Sequence, residues 1–217
     1  MSAKISRRRF LKYAPVGIGA AAVACGGLSA LAFRRPVHFY NRKLAANRNP
    51  MNPIALVTYA TRAGSTMEIA QAIALELENR GFTVDYSPIE RVTGLEDYSH
   101  VVIGSAIRMS APLPEVTQFI EEHRAAFRGI PLAFFAVHLS NDGDDEASRA
   151  ARHAYLDPVR KLLRLQHEAF FTGVFDPKKV SFAEGLMGRL VQSPVGDFRD
   201  WAAIKSWGQS IFTNDTK

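Results

Sequence analysis

Val57-Thr58-Tyr59-Ala60-Thr61-Arg62-Ala63-Gly64-Ser65-Thr66 joins a short apolar run, residues 54–59, to an amphipathic one, residues 67–80. The first run has the length of a buried strand. In the second, Ile69, Ala70, Ile73 and Leu77 recur at helical spacing, and Gly81 follows as a stop. The decapeptide is therefore the turn between a strand and the start of a helix. A phosphate monoester needs several donors converging without bulk, and a helix N-terminus supplies them. Here the hydroxyls of Thr61, Ser65 and Thr66 and the backbone N–H groups of Arg62, Ala63, Gly64, Ser65 and Thr66 offer that set, and Gly64 permits the close approach. The loop contains neither G-x-G-x-x-G nor G-K-[ST], which sets it apart from dinucleotide and Walker nucleotide loops.

Outward from this turn the same alternation repeats. Strands are expected at 82–87, 100–105, 131–138 and 168–175. Between and after them lie helices at 113–127 with Val116, Phe119 and Ile120 inward, at 147–164 with Leu156, Val159, Leu162 and Leu163 on one face, and at 197–212. Buried-strand runs alternating with amphipathic helices are the mark of a parallel sheet covered on both faces, here one doubly wound α/β domain over 54–217.

Tyr59, Thr61, Gly64 and Thr66 also stand in the register of the flavodoxin signature: an aromatic at the strand end, Thr or Ser two on, a small residue three further, and Thr two beyond that. Ala70 and Ile73 continue the match along the helix, while Thr58 occupies a position where that family has an apolar residue. The chain thus resembles the flavodoxin family. That resemblance implies a flavodoxin-like five-stranded parallel sheet of order 2-1-3-4-5, with FMN held at its switch point, outside the carboxyl ends of strands one, three and four. It implies cofactor contacts from three loops: Thr61 to Thr66; Ser105, Ala106, Ile107 and Arg108 after strand three; and His138, Leu139, Ser140 and Asn141 after strand four. The aromatics that flank the flavin ring in carrier flavodoxins are missing from the two later loops. Ring stacking is therefore expected from Ile107, Met109 or Leu139, and Arg108 is expected to face the flavin or an anionic substrate. His138 reads equally as a flavin contact or as a satisfied core histidine.

Within the family, Gly104-Ser105-Ala106-Ile107-Arg108 and the segment from Phe175-Asp176-Pro177 to Leu190 and Val191 are similar to the menaquinone-dependent protoporphyrinogen oxidases. This implies a quinone-linked oxidoreductase, with residues 177–193 approaching a membrane surface. The other reading is a one-electron carrier that docks with a redox partner protein. No residue stands out as a general acid or base.

The first fifty residues read differently from the rest. Ser6-Arg7-Arg8-Arg9-Phe10-Leu11-Lys12 precedes an uncharged Ala- and Gly-rich stretch, 13–33, and the whole resembles a twin-arginine export signal. Residues 1–33 are expected as signal or anchor and 34–53 as a basic linker, giving a periplasmic or membrane-tethered protein. Cleavage after Ala32, lipidation of Cys25 and retention as an anchor are all compatible with the residues. Twin-arginine export moves folded proteins, which fits a cofactor inserted beforehand. Of the 27 Lys and Arg residues, ten lie in 1–50, where there is no Asp or Glu, so the remaining 17 face 21 acidic residues in the domain. That mildly acidic balance removes the electrostatic basis for nucleic-acid binding. Cys25 is the only cysteine, which excludes an internal disulfide and a thiolate metal cluster. The run Asp142, Asp144, Asp145, Glu146 reads as a solvated helix start rather than a metal site.

Overall fold

Strands with no polar face are buried on both sides, and β1 (Ile54–Ala60) and β5 (Leu132–His138) have that character, every residue but Ile54 being buried. They belong to a computed structural model that describes residues 52–175 and 196–213. The signal-like region 1–33, the linker up to residue 51 and the segment 177–193 lie outside the described residues.

With β2 (Thr83–Pro88), β3 (His100–Arg108) and β6 (His167–Thr172), these strands form a parallel sheet of order β2-β1-β3-β5-β6, the expected 2-1-3-4-5 arrangement. A short β4 (Ala111–Pro112) folds back antiparallel on the end of β3. The chain leaves β1 for one edge and then returns past it to β3. Loops at the carboxyl ends of β1 and β3 therefore diverge and leave a crevice between them.

Helices cover both faces. Helix α1 (Ser65–Asn79) and helix α5 (Trp201–Ser210) seal one side, where Ile69, Ile73, Leu77 and Ile204 pack on Val57, Val102 and Phe135. Helix α2 (Pro114–Glu122) and the short α4 (Asp157–Arg160) seal the other, with Val116, Ile120 and Val159 against Leu56, Ile103 and Phe134. Helix α3 (Glu146–Ala154) buries none of its residues and lies outside these layers. Among the described residues no helix is long and apolar enough to cross a membrane.

Five elements differ from the periodicity reading, each for a local reason. The helix expected over 147–164 is split into α3 and α4, because Pro158 has no N–H to continue the ladder and instead sits in the first turn of a new helix. The helix expected over 113–127 ends at Glu122, where the His123 ring and backbone take up the Phe119 carbonyl and turns follow. The fifth strand breaks at Gly173. Beyond it β7 (Val174–Phe175) pairs antiparallel with β8 (Gly196–Asp197), so the closing helix begins only at Trp201, capped by the Asp200 carboxylate accepting from Ala203 N at 2.9 Å. The third strand runs on to Arg108, so Ser105, Ala106, Ile107 and Arg108 lie on extended backbone rather than in a loop.

Gly104 lies beside Phe135 in this ladder, and a Cβ placed there would come within 2.1 Å of the Phe135 ring. Gly104→Ala is expected to destabilise the domain by about 1–3 kcal/mol through overpacking. A urea titration should show a lower midpoint with an unchanged slope.

Candidate functional site

The crevice is built first by the β1–α1 turn. Tyr59 is wholly buried and stacks on Tyr86 with ring centroids 5.1 Å apart, while Tyr86 donates its hydroxyl to the Met67 carbonyl at 2.8 Å. The strand-end aromatic thus braces the first turn of α1 from beneath and does not line the loop. Above it, Thr61 Oγ1 accepts from Gly64 N at 3.0 Å, closing a four-residue turn. Gly64 has φ +96°, the left-handed region that a side chain strains, and it is the N-cap of α1 with no side-chain cap. The first N–H groups of a helix have no intrahelical partners and carry its positive end, so this start presents uncompensated donors. Thr66, in the same turn, is fully buried, and its hydroxyl has no hydrogen-bond partner among the described residues. Such a group costs about 1–3 kcal/mol unless something outside the protein satisfies it. Ser65 lies near Gly173, where an added Cβ would stand 3.2 Å from Ser65 Oγ, so the break after β6 also clears space at the loop.

Arg62 is held differently. Its guanidinium forms a forked ion pair with Glu115 in the first turn of α2, with Nη2 donating to Oε2 at 2.9 Å and Nη1 to Oε1. Both side chains are mostly buried, at 11% and 15% exposure.

The two later segments frame the crevice. Ser105 is buried and its hydroxyl serves the protein itself, donating to the Ala106 carbonyl at 2.9 Å and accepting from Leu113 N at 3.0 Å. Ala106, Ile107 and Arg108 are half-buried. Met109 and Ser110 form a hairpin tip at positive φ, with Met109 94% exposed. At the end of β5 His138 is buried, and burial pushes its pKa below the ordinary value of 6.5. The neutral ring donates Nδ1–H to the Ser140 carbonyl at 2.9 Å. Asn141, at φ +59°, donates to the Tyr155 hydroxyl at 2.7 Å, and Tyr155 donates to the Ser140 carbonyl at 3.2 Å. Arg152 donates to the carbonyls of Asn141 and, at 2.6 Å, Gly143. Leu139 is left on the outside, 36% exposed.

The residues named from sequence therefore gather at one end of the sheet, although Ser105 and His138 spend their polar atoms on protein partners. Sequence reasoning missed Glu115, Arg152, Tyr155 and Gly173, whose roles come from contacts between elements and have no local signature. In the acidic run, Asp145 caps α3 by accepting from Ser148 N at 2.9 Å and Ser148 Oγ at 2.6 Å, and these bonds hold its carboxyl below the usual range. Among the described residues no group of three or more His, Cys, Asp or Glu is placed to hold a metal. A separate cleft of about 560 Å³, lined by Arg124, Phe127, Arg128, Ile130, Leu162 and Arg164, sits beside Leu132 at the start of β5, the opposite end of that strand from His138.

What this loop set resembles among known proteins is consistent. The flavodoxin domain family matches residues 56–200. Protoporphyrinogen IX dehydrogenase (quinone) of Escherichia coli K12 is 34% identical over 86 residues, covering 39% of this chain and 48% of that protein. The protein of the same name from Leishmania major is 24% identical over 178 residues, covering 74% of this chain and 75% of that one. The chain spans about half the length of the curated Escherichia coli relatives it matches. Among solved structures, a flavodoxin from the domain Archaea is similar with a TM-score of 0.47 at 17% identity, over 73% of this chain and 95% of that one.

Because His138 is neutral in the fold and its folded pKa lies below 6.5, the unfolded chain binds the extra proton first as pH falls. Stability is thus full above about 6.5 and declines as pH drops from there toward the folded pKa. Denaturation midpoints measured from pH 7.5 to 5 should fall, and His138→Gln should flatten that slope.

Proposed function

This chain belongs to the flavodoxin domain family, and on that premise we propose that it is an FMN-dependent redox protein that passes electrons from a reduced donor to a quinone. The observation that carries the cofactor assignment is the start of α1: a left-handed, uncapped N-terminus beside a buried Thr66 hydroxyl that lacks a partner among the described residues. Both defects are relieved together by a phosphate monoester. When bound, FMN supplies two-electron and one-electron chemistry. The protein's own residues would divide the rest. Thr61, Ser65, Thr66 and the N–H groups of residues 62–66 hold the phosphate. The extended backbone of 105–108 and the stapled 138–141 segment hold the ring. Arg108 brings a cation to the rim, and the exposed Met109 and Leu139 give that rim an apolar edge.

A quinone as acceptor is supported by the matches to the two quinone dehydrogenases. The sequence of residues 177–193, basic and patterned as amphipathic, suits a membrane surface from which a quinone is drawn. The twin-arginine-like N-terminal sequence supports a periplasmic location for this activity, free or tethered. That location argues against a donor made and consumed in the cytoplasm, and for some other reduced donor.

Purified full chain is expected to be yellow. After anaerobic photoreduction its flavin should be reoxidised rapidly by a menaquinone analogue. A protein that holds a semiquinone and ignores the quinone would be a carrier serving a partner protein, and one that takes up no FMN would refute the assignment. Thr66→Val, which keeps the shape and removes the hydroxyl, should weaken FMN binding by about tenfold or more, as for loss of a hydrogen bond to a charged group. Quenching of flavin fluorescence measures it.

A further inference from the structure

Arg62 is the one side-chain cation within the six-residue phosphate loop, yet its guanidinium is turned away to Glu115 of α2. An exposed Arg–Glu pair would be a minor stabiliser, but this one is mostly buried and forked, a geometry that orders both partners. The same arginine keeps one donor in reserve: its Nε is buried and has no partner among the described residues. Two buried donors from one short loop, Arg62 Nε and Thr66 Oγ1, therefore lack acceptors. The pair also crosses the crevice, joining the loop after β1 to the helix that Ser105 anchors to β3 through Leu113 N.

We infer that Arg62 selects the phosphorylated flavin over the unphosphorylated one, and that Glu115 sets how much of the arginine's charge the phosphate feels. The inference rests on the FMN reading above. With the pair intact, the loop's side chains add no net charge, and a phosphate dianion is held by neutral donors, by the helix terminus and by a screened guanidinium. Removing Arg62 alone makes the site one charge more negative, which disfavours a phosphate but not a ribityl hydroxyl. Removing the Glu115 charge alone exposes the full cation. Removing both leaves the net charge of the site as it is with the pair intact.

The test is titration of the full-length apo-protein with FMN and with riboflavin, read by flavin fluorescence quenching at low and at raised salt. Arg62→Gln is expected to weaken FMN by about tenfold or more while riboflavin changes by less than about threefold. Glu115→Gln should tighten FMN severalfold at low ionic strength, with the gain lost in high salt, and leave riboflavin unmoved. The Arg62→Gln/Glu115→Gln double variant should recover most of the loss, and riboflavin binding by each variant serves as the check that the crevice still forms. If either single variant weakens both flavins equally, or if the FMN-to-riboflavin preference does not move, the pair is only a structural strap and the inference is overturned. A wild-type chain that quenches neither flavin would overturn the FMN reading and this inference with it.

Discussion

Helix α1 begins on a glycine in a left-handed conformation, so its positive end is left without a side-chain cap in a buried position. A helix end in that state is unfavourable unless an anion or a set of acceptors arrives, and the surrounding structure keeps that end open. Tyr86 and Tyr59 support the first turn from the sheet side. Arg199 holds it from the other side, reaching from the segment after β8 to pair with Glu68 in α1 and with Asp197 at 2.6 Å, while its guanidinium stacks 4.4 Å from the Trp201 ring. Deeper in, Ile69, Ile73 and Leu77 lock α1 to the sheet. The helix start is thus fixed in position by strong apolar and ionic contacts while its polar donors are left for something else.

The two later loops meet a different requirement, because residues 138–143 have few apolar contacts and must be ordered by polar ones. Arg152 does this from α3, a helix that buries nothing of its own and is capped by Asp145, and the buried Tyr155 does so from the residue that ends it. Such a helix gains little from burial. Its contribution is to hold carbonyls of the loop in place, leaving Leu139 on the outside. On the other side of the crevice, Ser105 performs the same service for the β3–α2 connection. Both framing segments are held by hydrogen bonds between protein groups.

The architecture was legible from sequence because it rests on periodicity. Each strand of the parallel sheet is a short apolar run, and the phosphate loop is contiguous, so its residue types and spacing stand in one decapeptide. What escaped were features decided between distant elements. Glu115 looks like any first-turn acid until Arg62 is seen to reach it across the sheet. Tyr155, Arg152 and Gly173 carry no local signature, because only the assembled fold shows the Ser140 and Gly143 carbonyls and Ser65 beside them. The helix boundaries failed where a single residue outweighed the pattern, as Pro158 does between α3 and α4. Ala106 to Arg108 read as loop because the expected strand ends at Ser105, whereas pairing with β5 and then with β4 carries it three residues further.

That extension bears on what kind of redox partner the site suits. In register, Ala106 lies opposite Val137, so the strand end bearing Ile107 and Arg108 runs alongside His138 and Leu139. The rim at this edge is therefore aliphatic and thioether, with one cation, and none of the residues from 105 to 110 or from 138 to 143 is Phe, Tyr or Trp. An aromatic plate over a flavin buries its face and leaves mainly the ring edge for electron exchange. A rim of Leu and Met shields by flexible contacts that can repack around a second flat apolar molecule. The lack of flanking Phe, Tyr or Trp in these two segments, which at first weakens the likeness to carrier flavodoxins, is thus the local feature on which the proposed choice of a quinone over a partner protein rests.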